Sequence, residues 1–287
     1  IADSGRWELW NGDSIIRMRE IADNTTDLNI FSPPFADVFS YSDSEHDLSN
    51  NLNLDKFFDH FRFFIAELIR ITKPGRLTCL HVEDVRSLKG IDGFRGCVDF
   101  SGRIIQEFVS AGWIYRSRVT LDENPQVEAI RTKNSDLQFL TLKRDSTSLA
   151  PLNPDYILIF RKGGDNEIPV QPLKNGDLTH EDWIRYAHPV WYDIDRTKVL
   201  NAAVARNNRD EKHMCPLQLT IIEPLIKLYS NPGELVFDPF VGIGSTVYEA
   251  VKWKRRGLGI ELKPEYYNVA IRNCQNAERL RGKTLFD

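Results

Sequence analysis

The sequence predicts an α/β fold: a doubly wound, mostly parallel sheet covered by helices on both faces, with an irregular segment inserted into it. Three observations carry this expectation. Short apolar runs of strand length alternate with stretches of helical spacing along most of the chain. One such run, 235–237, passes through a glycine-rich turn straight into the helical stretch 245–252. The alternation breaks between 165 and 210, where periodicity is weak, prolines are scattered and aromatic and charged residues are frequent.

In chain order, Trp7, Leu9 and Trp10 mark a short strand that ends in the turn Asn11-Gly12-Asp13. Residues 14–22 have helical spacing, with Ile15, Ile16, Met18 and Ile21 apolar. A strand at 28–31 is stopped by Pro33-Pro34, and the polar stretch 37–53 reads as a mobile loop. Phe57, Phe58, Phe61, Phe64, Ile65, Leu68 and Ile69 predict a helix over 54–72, closed by Lys73-Pro74-Gly75. A strand at 77–82, a helix at 101–111 and strands at 113–121 and 156–160 follow. Regularity returns with a helix at 216–229, a strand at 235–237, a helix at 245–252, a strand at 257–260 and a helix at 264–281. The expected division is two stretches, 1–164 and 211–287, forming one domain around an insert at 165–210.

The totals set bounds. A chain of 287 residues has room for one large domain with an appended piece. No apolar run is long enough to span a bilayer. The chain opens on Ile1 rather than Met, which reads as a trimmed start, and no signal-peptide pattern follows. Cys79, Cys97, Cys215 and Cys274 lie far apart with no C-x-x-C pair, which argues against a zinc ribbon or a disulfide framework and for a reducing, cytoplasmic setting. His46, His60, His81, His180 and His188 show no ligand spacing, so no metal is expected. A net charge of −4 does not favour nucleic acid, so any DNA-binding surface must be a local basic one.

The sharpest motif is Asp238-Pro239-Phe240-Val241-Gly242-Ile243-Gly244-Ser245-Thr246, set between a strand and a helix. Glycines let the backbone turn tightly and approach a ligand closely, and a helix N-terminus offers free N–H groups to a carboxylate or phosphate. Glu261 ends the next strand, 23 residues after Asp238, where an acid can accept both ribose hydroxyls. The third glycine of a dinucleotide fingerprint and the G-x-x-x-x-G-K-[ST] phosphate loop are both missing. A nucleoside with an amino-acid tail fits better than a pyrophosphate.

A second motif, Ser32-Pro33-Pro34-Phe35, follows the strand at 28–31. The prolines remove two N–H donors and leave carbonyl acceptors, Ser32 adds a hydroxyl, and Phe35 adds a flat stacking face. An amino group held by Ser32 Oγ and the Pro33 carbonyl would turn its nitrogen lone pair toward a methyl donor.

Together the two motifs resemble those of the S-adenosylmethionine-dependent amino-methyltransferases, whose reactive motif is (D/N/S)-P-P-(Y/F/W). Here the reactive motif precedes the cofactor motif, an order similar to the β-class of DNA amino-methyltransferases. Asp155-Tyr156-Ile157-Leu158-Ile159-Phe160-Arg161-Lys162 resembles the strand that closes their target-base pocket. His213-Met214-Cys215-Pro216-Leu217-Gln218-Leu219 resembles the stretch packed around the methionine end, and residues 7–13 the element at the cofactor's adenine.

The resemblance implies a Rossmann-like class I methyltransferase fold with permuted motif order, S-adenosylmethionine as cofactor, and a base flipped from double-stranded DNA as target. It implies Ser32, Pro33, Pro34 and Phe35 at the base; Asp13, Asp238, Phe240, Gly242, Gly244, Ser245 and Glu261 at the cofactor; and a target-recognition role for 165–210. No covalent enzyme intermediate is needed, so no cysteine is expected as nucleophile. A homodimer is implied, and no nuclease motif is visible, so a restriction activity would need another polypeptide. The run Ser32-Pro33-Pro34-Phe35-Ala36-Asp37-Val38-Phe39-Ser40-Tyr41-Ser42 narrowly favours adenine N6 over cytosine N4, although serine versions are more frequent in N4-cytosine enzymes.

Candidate DNA contacts are Arg196, Lys198, Arg206, Arg209 and Lys212, with Arg116, Arg118, Arg131 and Lys133 as a second group; Lys252, Lys254, Arg255 and Arg256 precede a core strand and read as a solvated face. The rivals are an RNA amino-methyltransferase, a protein-glutamine methyltransferase (whose motifs run in the opposite order) and a non-catalytic DNA-binding protein that keeps the cofactor fold.

Overall fold

A computed structural model describes residues 1–34, 54–87, 93, 96–132, 135–192, 194–200 and 216–282. Phe35, Lys133, Arg206, Arg209 and Lys212 lie outside these residues, as do the loop expected at 37–53, the segment 213–215 and the side chain of Arg131.

The strands are β1 (Ala2–Asp3), β2 (Trp7–Asn11), β3 (Thr26–Phe31), β4 (Thr72–Glu83), β5 (Val85–Ser87), β6 (Gly96–Val98), β7 (Trp113–Leu121), β8 (Asp155–Lys162), β9 (Val190–Trp191), β10 (Leu235–Asp238) and β11 (Arg256–Glu261). The helices are α1 (Ser14–Met18), α2 (Leu54–Ile71), α3 (Phe100–Ser110), α4 (Pro125–Thr132), α5 (Phe139–Arg144), α6 (Pro172–Asn175), α7 (His180–Tyr186), α8 (Leu219–Tyr229), α9 (Ser245–Lys252) and α10 (Pro264–Gly282). One nine-stranded sheet has the order β1-β2-β11-β10-β3-β4-β8-β7-β9, and β5 and β6 form a separate hairpin. From β2 through β4 each neighbouring pair is parallel, while β8 runs antiparallel to both β4 and β7.

Strand periodicity assigns the two faces. Leu158, Phe160, Phe31 and Phe237 point into a core with α2 and α3, whereas Ile157, Ile159, Leu28, Ile30 and Val236 point into a core with α8. Trp7, Leu9, Val247 and Ala270 close a third cluster under α9 and α10. On α2 the i, i+4, i+7 row Phe57, Phe61, Phe64 forms an aromatic stack with centroids 5.1 and 5.0 Å apart. Phe108 of α3 stacks on Phe160 of β8 at 4.4 Å. The expected doubly wound sheet is the observed one.

Three expectations need correction. The first helix stops at Met18 rather than running to residue 22, because Arg70 of α2 donates to the carbonyls of Met18 and Ile21 at 2.8 and 2.9 Å and so satisfies groups that a longer helix would use. Helices α4 and α5 occupy a stretch in which no element was expected. The segment 165–210 is not wholly outside the core: β9 pairs in parallel with β7, and Leu178 and Trp191 are buried. Its Asp177 pairs with Arg255, whose guanidinium is buried and donates to Asp177, Ser230 and the Trp253 carbonyl. Arg255 therefore ties the segment to the sheet, whereas the sequence placed it on a solvated face; its five donors find partners inside the protein, so its charge can be buried. Among the described residues no helix is long and apolar enough to cross a membrane.

Candidate active site

The loops after β2, β3, β4, β10 and β11 leave the same edge of the sheet, the carboxyl edge, where ligands bind in open α/β folds.

On one side of that edge the glycine loop is built by carboxylates. Asp238 ends β10, is 5% exposed, and accepts the Phe240 N–H at 2.9 Å. Burial pushes its carboxyl up to about 7, with the Thr246 hydroxyl and the Phe240 N–H opposing the rise. Glu261 reaches back from β11 and accepts the N–H of Gly242 at 2.9 Å and that of Lys263 at 2.8 Å. Its backbone carbonyl accepts Gly12 N–H at 3.0 Å and the Asn11 side-chain amide at 2.8 Å. Asp13 caps α1 by accepting the Ile16 N–H at 3.0 Å, and the next residue, Ser14, donates its hydroxyl to the Pro239 carbonyl. Asp13, Asp238, Phe240, Gly242, Ser245 and Glu261 thus share one neighbourhood.

The two glycines do different work. Gly242 has φ of +53° and a Cβ there would meet nothing within 4 Å, so its open side faces free space. Gly244 has φ of +92°, and a Cβ would lie 3.1 Å from Ala270, so the missing side chain makes room for α10. Gly244 is also the N-cap of α9 and gives no side-chain cap, which leaves the leading N–H groups of that helix to other acceptors. Ser245 opens α9 with a buried hydroxyl that has no hydrogen-bond partner in the protein.

On the other side, β3 delivers Ser32, half-buried, and Pro33, buried. Ser32 Oγ donates to the His81 carbonyl at 3.1 Å and lies 3.4 Å from His81 Nδ1. With its one hydrogen directed into the protein, the hydroxyl presents lone pairs to a donor, as the notional amino group requires. The two sides are joined: β10 pairs with β3 through Val236–Leu28 and Phe237–Asn29, and the Phe240 ring packs edge-on against Phe31 at 5.8 Å, one residue before Ser32. Motifs two hundred residues apart in the chain therefore meet on adjacent strands.

The N6/N4 methyltransferase family model, described as DNA methylase, matches residues 26–272. The chain belongs to this DNA methylase family. The type II methyltransferase M.MjaI of Methanocaldococcus jannaschii is 30% identical over 204 residues, covering 68% of this chain and 60% of its own length. The DNA adenine methyltransferase YhdJ of Escherichia coli is 22% identical, with 96% of this chain and 85% of YhdJ covered. The first three curated relatives matched are spanned to only 60%, 27% and 33% of their length. Among solved structures, the putative DNA modification methylase TTHA0409 of Thermus thermophilus, complexed with S-adenosyl-L-methionine, superposes with a TM-score of 0.69 at 22% identity, covering 94% of this chain and 95% of that one. The cytosine-N4-specific PvuII DNA methyltransferase superposes at 0.67 with 15% identity, covering 94% and 86%. These likenesses show the Rossmann-like class I methyltransferase fold.

In this chain the basic residues separate. Lys198, Arg116 and Arg118 are exposed, and Arg118 lies over the Tyr156 ring at 4.9 Å. Arg196, expected at DNA phosphates, is turned into a carboxylate cluster instead: it donates to Asp155 at 2.9 Å and pairs with Glu123, with Glu128 at 4.0 Å. Sequence reading also passed over His81, which found no metal spacing; its signal was a polar residue interrupting the buried strand Cys79-Leu80-His81-Val82. Among the described residues no group of His, Cys, Asp and Glu could hold a metal ion.

Proposed function

We propose that this methylase transfers a methyl group from S-adenosylmethionine to the exocyclic amino nitrogen of a base flipped out of double-stranded DNA, with adenine N6 as the target. The pairing of β10 with β3 carries this reading, because it sets the Ser32–Pro33 acceptors beside the glycine loop.

The loop fits the cofactor. The open side of Gly242 leaves room where a side chain would stand, and the uncapped start of α9, with Ser245, suits a carboxylate. Asp238 suits an ammonium, Glu261 the ribose hydroxyls and Asp13 the adenine side, while Phe240 and Gly244 shape the loop. When bound, the cofactor supplies a sulfonium methyl already activated for transfer, so the protein's task is positioning. Ser32 Oγ and the Pro33 carbonyl hold the two amino hydrogens and so aim the nitrogen lone pair. Pro34 stiffens the turn, and Phe35 stacks on the base, worth about 1–3 kcal/mol. Residues 165–210 form the recognition segment on the catalytic domain of 1–164 and 211–287, with Lys198, Arg206 and Arg209 toward phosphates. YhdJ supports adenine; a second reading, cytosine N4, rests on the serine of the motif.

Asp238 gives a pH prediction with a definite sign. A carboxyl whose folded-state value is near 7 keeps a proton that the unfolded chain has lost between about pH 4 and 7, so this group lowers stability as pH rises through that window. An ammonium beside it favours the ionised form. S-adenosylmethionine affinity is therefore expected to climb, by up to about tenfold per pH unit, until pH 7 and then level off. Calorimetric titration from pH 5.5 to 8 checks this, with Asp238→Asn expected to flatten the curve. A flat curve for the unsubstituted protein would restrict Asp238 to holding its loop.

The function itself is tested by incubating the protein with labelled S-adenosylmethionine and unmethylated bacterial DNA and identifying product nucleosides by mass. N6-methyladenine is the expected product. N4-methylcytosine would keep the mechanism and change the base. Label in RNA or protein alone would overturn the substrate class. Light scattering of the same preparation tests the homodimer that the resemblance implies.

A further inference from the structure

Behind Ser32 stands a chain of polar groups that positioning of the amino group does not use. His81 sits on β4 beside the end of β3, with its side chain 12% exposed. Its Nδ1 is 3.4 Å from Ser32 Oγ, and its buried Nε2 is 3.2 Å from Asp155 Oδ2 at the start of β8, a charge-pair distance without the alignment of a hydrogen bond. Asp155 is itself held by Arg196 at 2.9 Å, and the pairs Glu83–Asp155 and His81–Ile157 fix β4 and β8 in register. Ser32, His81 and Asp155 therefore come from three adjacent strand ends, and Arg196 arrives from the inserted segment.

We propose that His81, oriented by Asp155, is a positioning residue that draws the amino proton out of the site through Ser32. Methyl transfer forms a nitrogen–carbon bond as the donor's sulfur–carbon bond breaks, and the nitrogen, now cationic, has one proton too many. That proton passes to Ser32 Oγ while the hydroxyl turns from the His81 carbonyl and gives its own proton to His81 Nδ1; the resulting imidazolium is balanced by Asp155 and returns its proton to water. A carboxylate at the Ser32 position could take the proton directly, but a serine hydroxyl is too weak a base to keep it. The serine form of the motif therefore needs an acceptor behind it. Asp155 selects the tautomer, because a carboxylate at Nε2 calls for the proton on that nitrogen and leaves Nδ1 free to accept. Arg196 fixes Asp155 in turn, so the inserted segment reaches the reactive serine through two side chains.

The inference rests on Ser32 being the group that holds the amino nitrogen, and the test separates the two. Long-range proton–nitrogen spectra of protein labelled with nitrogen-15 at histidine, without cofactor, report the tautomer of His81, assigned by the signal lost in His81→Gln. The expected result is the Nε2–H form with an Nδ1 resonance that moves in Ser32→Ala and a tautomer that changes in Asp155→Leu. In single-turnover transfer to DNA, His81→Gln is expected to be slower by about 10²-fold with unchanged cofactor affinity. A proton on Nδ1 of the unsubstituted protein, or a His81→Gln rate within about twofold of it, overturns the relay. Full activity of Ser32→Ala would instead overturn the underlying reading of the site. The tautomer is read on the unsubstituted protein, so the test survives a variant that fails to fold.

Discussion

Ser32→Ala is expected to slow methyl transfer by about 10²–10³-fold, the range lost when one preorganised hydrogen-bonding group is removed from a reacting centre. The substitution deletes an acceptor whose polarity is set in advance by donation to the His81 carbonyl at 3.1 Å. Without it, only the Pro33 carbonyl holds the amino group, and the nitrogen lone pair is free to swing away from the methyl. Cofactor affinity should stay within about twofold, because the Gly242–Glu261 contact and the Asp238–Phe240 contact belong to the next strands. Stability should fall by about 1 kcal/mol or less, since Ser32 is only half-buried. Single-turnover transfer to DNA, measured beside cofactor titration, separates these effects. Transfer within tenfold of the parent would remove Ser32 from the centre of the site.

Arg255→Met is expected to destabilise the protein by about 3–5 kcal/mol, the cost of leaving one member of a buried ion pair without its partner. Arg255 is 1% exposed and donates to Asp177 at 3.1 and 2.8 Å, to Ser230 Oγ at 3.0 Å, to the Ser230 carbonyl and to the Trp253 carbonyl at 2.7 Å. Methionine fills the volume but leaves the Asp177 carboxylate and two carbonyls unpaired. Because Asp177 belongs to the inserted segment, that segment should loosen first, visible as hydrogen exchange at 172–191 ahead of global unfolding. Adding Asp177→Leu should recover much of the loss, since the pair removed as a whole costs far less than one half of it. Urea denaturation of the single and double variants measures both numbers. A shift below about 1 kcal/mol in the single variant would mean that the segment is held by its apolar contacts, chiefly Leu178 and Trp191.

Legibility followed burial. Residues with a face to bury announced themselves: Phe57, Phe61 and Phe64 marked the helix that packs on Phe31, and the unbroken apolar run 156–160 marked the strand whose side chains enter both cores. Helices α4 and α5 carry Val127, Ile130 and Phe139 at 60, 79 and 68% exposure, so they have no buried stripe and their spacing gave no signal. The glycine loop was legible because it combines a strand, a turn and a helix start within nine residues. Its division of labour was not, because Gly242 and Gly244 look alike until α10 is seen against only one of them.

The sequence by itself determined the alternation of strands and helices, the two motifs, their order and the family they indicate, because these depend on residues close together in the chain. Only the tertiary structure decided what those motifs have beside them. Pairing of β10 with β3 brings Phe240 to Phe31, the end of β4 brings His81 to Ser32, and the start of β8 brings Asp155 to His81. The same long-range placement set Arg196 among carboxylates and buried Arg255 against Asp177. A charge takes its role from the groups within a few ångströms of it, and the Ser230, Asp155 and Asp177 partners of these two arginines lie 25, 41 and 78 residues away along the sequence.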